Sequence, residues 1–427
     1  MAGLSMSGHF DRTKLMRTAD WLAVGVAVSL PWSTSATGIL VVLWLIALIP
    51  VLDWRQLRAM VMTPAGGLPV LLVLLVLLGI AGMLWADVSL KERWDGLGSF
   101  LKLLMIPLLL VQFRRSDRAL YVFAGYLAAC MVLLIVSTVV QFVPGFSFIP
   151  LRQDFVLVKS AATQSGEFVI CIFGLLHLAV DCFERRRWWW LAGIVVTTAG
   201  MFVNIVFVAT GRTALVVALV LLALFAMKRL RRRGIVILSL ASLVIGAVAW
   251  HSSPFLRART DQIWTDYQKY EKTDARNSSG ERVEFWRKSI GFVAMAPVIG
   301  NGTGSIPSLF AAAADGKTGA SGVASTNPHN QTFAVAIQLG LVGAAVLWAM
   351  WIAHLLLFRG GGLVEWIGLV IVAQNIVGSL FNSHLFDFVQ GWVYVFGLGV
   401  AGGMALKNRA MRQAAPTPTE KPADAGA

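Results

Sequence analysis

Residues 188–227 read WWWLAGIVVTTAGMFVNIVFVATGRTALVVALVLLALFAM. Two apolar runs, 188–208 and 212–227, are parted by a turn of a few small residues that ends on Arg212. Roughly 20 apolar residues suffice to cross a bilayer as a helix, and a helix satisfies its own backbone polar groups where no water can. The same pattern recurs along the chain over 20–34, 36–52, 68–86, 99–113, 119–142, 164–183, 234–250, 332–358, 363–381 and 387–406. The reading is an all-α integral membrane protein of about twelve transmembrane helices. Pro31 is expected to kink or split the first run. At 57% hydrophobic and 14% charged residues, an ordinary water-soluble domain is excluded.

The net charge of +14 belongs to topology, not to a nucleic-acid face. Alternating sides from the amino terminus puts Arg12, Lys14 and Arg17, then Arg55 and Arg58, then Arg114, Arg115 and Arg118 on one side. Arg185–Arg187, Lys228 to Arg233, Arg359 and the cluster at Lys407, Arg409 and Arg412 fall on that side too. Short loops on the other side hold only Lys91, Arg93, Arg152, Lys159 and Arg212. The positive-inside rule makes the first side and both termini cytoplasmic. Four segments follow: helices over 1–250, an extracytoplasmic loop over 251–331, helices over 332–408, and a disordered cytoplasmic tail over 409–427. Trp188–Trp190 beside the arginines reads as an interfacial belt. Cys130, Cys171 and Cys182 form neither a disulfide framework nor a CxxC pair, and no metal or other cofactor is expected.

The one long polar stretch, 251–331, is where chemistry is expected. Ser278-Ser279-Gly280-Glu281 has the spacing of a capping box, and a helix is expected from there to about Met295, stopped by Pro297. Val283, Trp286, Ile290, Val293 and Ala294 share one stripe of that helix, with Arg282 and Arg287 on its edges and Glu284 and Lys288 pointing away. Such a helix lies on a membrane surface or covers a bundle. A small-residue loop, Gly300-Asn301-Gly302-Thr303-Gly304, follows, and Thr326-Asn327-Pro328-His329-Asn330-Gln331 leads into the next apolar run.

Topology gathers Arg152, Lys159, Arg212, Arg282, Arg287, His329, His384 and Asp387 on the outer side. Arg212 is either a snorkelling anchor or a ligand contact. Arg282 and Arg287 are either solvated helix flanks or anion contacts. His329, at the lip of a helix, carries an imidazole, the side-chain type that takes a proton near neutral pH without a shifted pKa. Asn330 either orients a substrate group or caps the helix, and Asp387 orients His329, binds sugar hydroxyls or caps the last helix. Arg152 and Lys159 are weaker loop candidates. Guanidinium groups at a membrane boundary suit an anionic lipid headgroup, because they bind phosphate oxygens bidentately at any working pH. The glycines of 300–304 do not open a nucleotide-binding helix, and no GxSxG nucleophile elbow occurs in context.

The many-span layout, Arg282 ahead of Trp286, the Pro297…Gly300–Gly304 pattern and the late Pro328-His329-Asn330 resemble the O-antigen ligase and polymerase superfamily, most closely from Arg212 to Leu339. The resemblance implies a membrane glycosyltransferase that moves a polysaccharide from undecaprenyl diphosphate to lipid A–core at the periplasmic face of the inner membrane. It would map essential residues to Arg212, Arg282 and His329. O-antigen polymerase and protein O-oligosaccharyltransferase are alternatives with the same kind of donor. A flippase for an anionic lipid is a further alternative, disfavoured by spans nearly free of mid-depth charge.

Overall fold

The computed structural model describes residues 11–62, 67–143 and 158–414. In chain order its helices are α1 (Arg12–Ser29), α2 (Thr34–Leu48), α3 (Trp54–Met62), α4 (Gly67–Gly82), α5 (Leu90–Leu101) and α6 (Met105–Arg115). Then come α7 (Ala119–Phe142), α8 (Ala161–Glu184), α9 (Trp188–Phe207), α10 (Arg212–Arg229), α11 (Arg232–Ser252) and α12 (Pro254–Thr273). The last are α13 (Ser278–Met295), α14 (Ile306–Ala314), α15 (Gln331–Leu357), α16 (Leu363–Gly378) and α17 (Phe388–Ala414). No strand occurs among the described residues. Eight helices there are long and apolar enough to cross a membrane, and Leu71–Gly82 and Leu363–Gly378 are shorter apolar helices.

Every apolar run of the sequence is helical, with shifted edges. Pro31 falls in the turn between α1 and α2, where Ser33 caps α2 through the amide of Ala36. The fourth run starts earlier than its hydropathy suggests. A capping box of Ser89 and Glu92 opens α5, and a short 3-10 segment joins it to α6, so one rod runs from Leu90 to Arg115. Between Ser252 and Gln331 lie three helices, α12 to α14. At the other end α17 continues to Ala414, and the rest of the expected tail lies outside the described residues, as does Arg152.

The core is a bundle in which α17 packs on α6 and α16. Small residues allow this close approach: a Cβ at Gly403 would lie 2.9 Å from the Leu110 carbonyl oxygen. Isolated polar residues inside the bundle pair across helices, as Asn204 does with Gln164 at 2.9 Å and Ser137 at 3.1 Å. Gln374 likewise donates to Gln390 at 3.2 Å.

One interruption organises the half of the bundle that carries α13 and α14. At Gly340, φ is +63° and ψ −164°, so α15 is broken there and backbone groups on both sides lose their helical partners. The loop after α13 supplies replacements. Pro297 and Val298 carbonyls accept from Leu341 (2.8 Å) and Val342 (3.3 Å), while Asn301 and Gly302 amides donate to the Ile337 (2.8 Å) and Gln338 (2.9 Å) carbonyls. Thr303 then donates to the end of α4, its amide to Gly82 at 3.0 Å and its hydroxyl to Gly79 at 2.5 Å. An unmatched backbone group in an apolar interior costs several kcal/mol, so loop and break require each other.

Gly302 has φ +91°, and a Cβ there would stand 2.4 Å from Ala86 Cα. Gly302→Val is therefore expected to destabilise the fold by roughly 2–5 kcal/mol, from left-handed backbone strain plus overpacking. Gly38→Ala, on α2 with nothing within 4 Å of the added methyl, is the matched control. Thermal melting in detergent reads both, and equal melting temperatures would refute the account of the loop.

Candidate active site

The amphipathic helix α13 is turned the opposite way from its hydrophobic stripe. Its N-cap is Asn277, whose Oδ1 accepts from Gly280 at 2.8 Å, and Glu281 pairs outward with Arg276 at 3.3 Å instead of closing a capping box from Ser278. Phe285 and Phe292 pack edge-on against Phe310 of α14 and fix the inward face. That orientation buries Glu284 and Lys288, which the sequence places on the outer side. Both are satisfied there: Glu284 accepts from the Tyr270 hydroxyl at 2.8 Å, and Lys288 donates to the Ser321 carbonyl at 2.6 Å. Val283 and Ile290 of the apolar stripe are left exposed on the bundle surface.

This rotation places Arg282 beside Arg212. Arg212 opens α10 and reaches the start of α13, donating to Ser278 Oγ at 2.6 Å and Ser279 Oγ at 3.3 Å. Arg282, about one turn further along, is half-buried. Among the described residues it has no hydrogen-bond or ion-pair partner. Burial, and then the like charge of Arg212, pull its pKa below the usual guanidinium value. A guanidinium nevertheless stays protonated at neutral pH. It lines a small cavity of about 40 Å³ with Thr213, Gln374, Asn382 and His384. Buried His384 has no partner for Nδ1 among the described residues, and burial followed by Arg282 lowers its pKa to about 4, so this ring is neutral.

His329 stands within electrostatic reach of Arg282. Its backbone is left-handed, φ +52°, held by Asn327 Oδ1 accepting its amide at 2.8 Å and by Trp286 Nε1 donating to its carbonyl at 3.3 Å. The ring stacks on Phe285, with interplanar angle 12° and centroids 5.8 Å apart. Nδ1 lies 2.9 Å from Asn382 Oδ1. The orientation of that amide follows from its other partners: Asn382 Nδ2 donates to Asp387 Oδ2 at 2.5 Å, and Asn327 Nδ2 donates to Asn382 Oδ1 at 3.0 Å. An amide oxygen only accepts, so Nδ1 of His329 carries the proton and Nε2 keeps its lone pair. Burial, then Arg282, lower the His329 pKa, against a smaller opposing contribution from Asn382. Burial raises Asp387 to about 6, opposed by Lys102, whose ammonium donates to the Phe386 and Asp387 carbonyls at 3.0 and 3.1 Å.

Residues 197–348 match the family described as O-antigen ligase. The chain carries an O-antigen ligase family domain. The match spans α9 through much of α15 and includes Arg212, Arg282 and His329. The family's members are membrane glycosyltransferase-like enzymes, and with its apolar helices the chain is a multi-pass membrane protein. No curated protein matches it.

Around this O-antigen ligase domain the remaining candidates separate. Arg287 points to solvent, its side chain 79% exposed, and only approaches Glu284 at 3.9 Å. Asn330 caps α15: its oxygen accepts from Phe333 at 3.1 Å and its nitrogen donates to the Leu380 carbonyl at 3.1 Å. Lys159 is turned to the bundle, donating to the Leu30 carbonyl and facing Glu167. Two residues of the cluster were not singled out by sequence reasoning, Asn327 and Asn382. Their signal was present, since each stands two residues from a histidine in a polar turn against an apolar run.

Proposed function

We propose that the chain is an O-antigen ligase, moving a polysaccharide from undecaprenyl diphosphate to a hydroxyl of lipid A–core at the periplasmic face of the inner membrane. The observation that carries this reading is the half-buried Arg282 guanidinium, which has no counter-charge among the described residues, beside Arg212 and next to His329. Buried charges in folded proteins are paired, so a cation built without a partner suits an anionic ligand. The exposed stripe of α13 supports placement of that ligand at the lipid boundary, where a lipid-linked diphosphate enters sideways.

In the proposed reaction an acceptor hydroxyl gives its proton to Nε2 of His329 as its oxygen bonds to the anomeric carbon. The bond from that carbon to the diphosphate breaks, and undecaprenyl diphosphate departs with the electron pair. Arg282 and Arg212 offset the charge growing on it. Attack opposite the leaving group inverts the anomeric centre. Asp387 and Asn382 hold the tautomer, and His384 contributes a neutral donor or acceptor beside the diphosphate. The topology in this reading is about twelve spans with both termini cytoplasmic.

The neutral form of His329 is the competent base, and its pKa lies below the ordinary value of 6.5. Turnover is therefore expected to stay level as pH falls from 8 through about 6.5, and to decline only when the imidazole and Asp387 protonate below that. A rate profile with saturating donor checks this, and an acid limb centred above 6.5 would contradict the assigned environment.

The deciding assay gives purified protein a lipid-linked polysaccharide with either lipid A–core or a second lipid-linked glycan. Transfer to lipid A–core is the expected result. Transfer only to the second glycan makes the chain a polymerase, and transfer to neither refutes the proposal.

A further inference from the structure

A second cavity, of about 410 Å³, lies across the Asn382–Asp387 hydrogen bond from the arginines. Asn382 lines the small cavity that holds Arg282, whereas Asp387, Asn327 and Ser383 line the larger one. The amide–carboxylate contact behind His329 is thus a partition between two spaces.

Charge divides along the same line. The arginine side carries Arg212 and Arg282, while Glu92, Asp95 and Asp387 line the larger cavity and no Lys or Arg does. Glu92 is committed to its cap with Ser89, through bonds of 2.7 and 3.0 Å. Asp95, Ser99 and Thr326 have side chains with no hydrogen bond among the described residues, and Asp387 has Oδ1 to spare beyond its bond to Asn382. A carboxylate only accepts, so it suits hydroxyl donors and repels phosphate. The volume falls in the range of small-molecule sites, and the uncommitted polar groups converge from α5, the loop before α15 and the turn before α17.

We infer that this cavity binds the acceptor saccharide, an uncharged hydroxyl-bearing sugar ring, through Asp95, Ser99, Thr326 and Asp387, on the far side of the Asn382–Asp387 contact from the arginines. The inference rests on the transferase reading above and assigns its second substrate a place that the arginines do not provide. Segregating the two substrates by charge keeps the diphosphate out of the acceptor side without a steric gate.

The test uses full-length protein in detergent, undecaprenyl-diphosphate-linked polysaccharide as donor and lipid A–core as acceptor. Asp95 is exposed, so Asp95→Asn keeps the fold and removes one charged acceptor. It is expected to raise the acceptor KM about tenfold with the donor KM unchanged, the size of one lost charge-assisted hydrogen bond. Ser99→Trp fills the cavity and is expected to abolish transfer while donor binding, followed by native mass spectrometry, persists. Acceptor KM unchanged in Asp95→Asn, or Ser99→Trp that transfers normally or loses donor binding, overturns the acceptor pocket alone. Wild-type protein that transfers to no acceptor overturns the parent reading with it.

Discussion

His329→Ala is expected to lower transfer by roughly 10²–10⁴-fold, the usual contribution of a positioned general base, while the lipid-linked donor still binds. The expectation follows from the division of labour around the ring. Nδ1 is engaged by Asn382, which leaves Nε2 as the atom free to accept a proton. Because the proposed reaction takes the proton from the acceptor, the loss should fall on kcat and not on donor affinity. Turnover and donor binding, the latter by native mass spectrometry, measure the two separately. A variant that retains more than about a tenth of wild-type turnover would show that the imidazole only positions the acceptor.

Arg282→Gln should have a comparable effect with a different signature. Among the described residues the guanidinium has no counter-charge, so its removal is expected to cost the fold little and the proposed reaction much. Turnover is expected to fall about 10²–10³-fold, and donor binding to weaken with it, since in the proposed reaction the same group holds the diphosphate before and during bond breaking. Arg282→Lys is expected to recover only part of this, because an ammonium lacks the planar bidentate fork. The same substitution removes a positive neighbour of His329 and should move that imidazole's titration upward, toward its ordinary value. A variant with normal donor affinity and an unmoved histidine titration would separate Arg282 from both roles.

The bundle could be read from the sequence because its cause is local: each long apolar run specifies a helix whatever surrounds it. Arg212, Arg282 and His329 were legible for a related reason. The alternation of apolar runs alone puts them on one side, where the charge pattern leaves few enough cations for them to stand out. The facing of α13 was not legible. Its buried side carries Glu284 and Lys288, and only the arrival of Tyr270 and Ser321 makes that burial tolerable. The 300–304 glycines have the sequence of a plain loop, because their partners are backbone groups of a helix whose hydropathy is continuous through Gly340. Asn382 and Asn327 belong to a network assembled from two turns, 55 positions apart, and no spacing rule joins them. The larger cavity escaped for the same reason, since it is lined from three separate segments.

The break at Gly340 has a mechanical consequence. An unbroken α15 would be a lever, carrying any tilt of its Leu357 end directly to the lip bearing His329. Instead it is two rods, and the outer one is bolted through 297–303 to α4. The lip that bears His329 is therefore anchored through the 297–303 loop to α4 and not by the Leu357 end of its own helix.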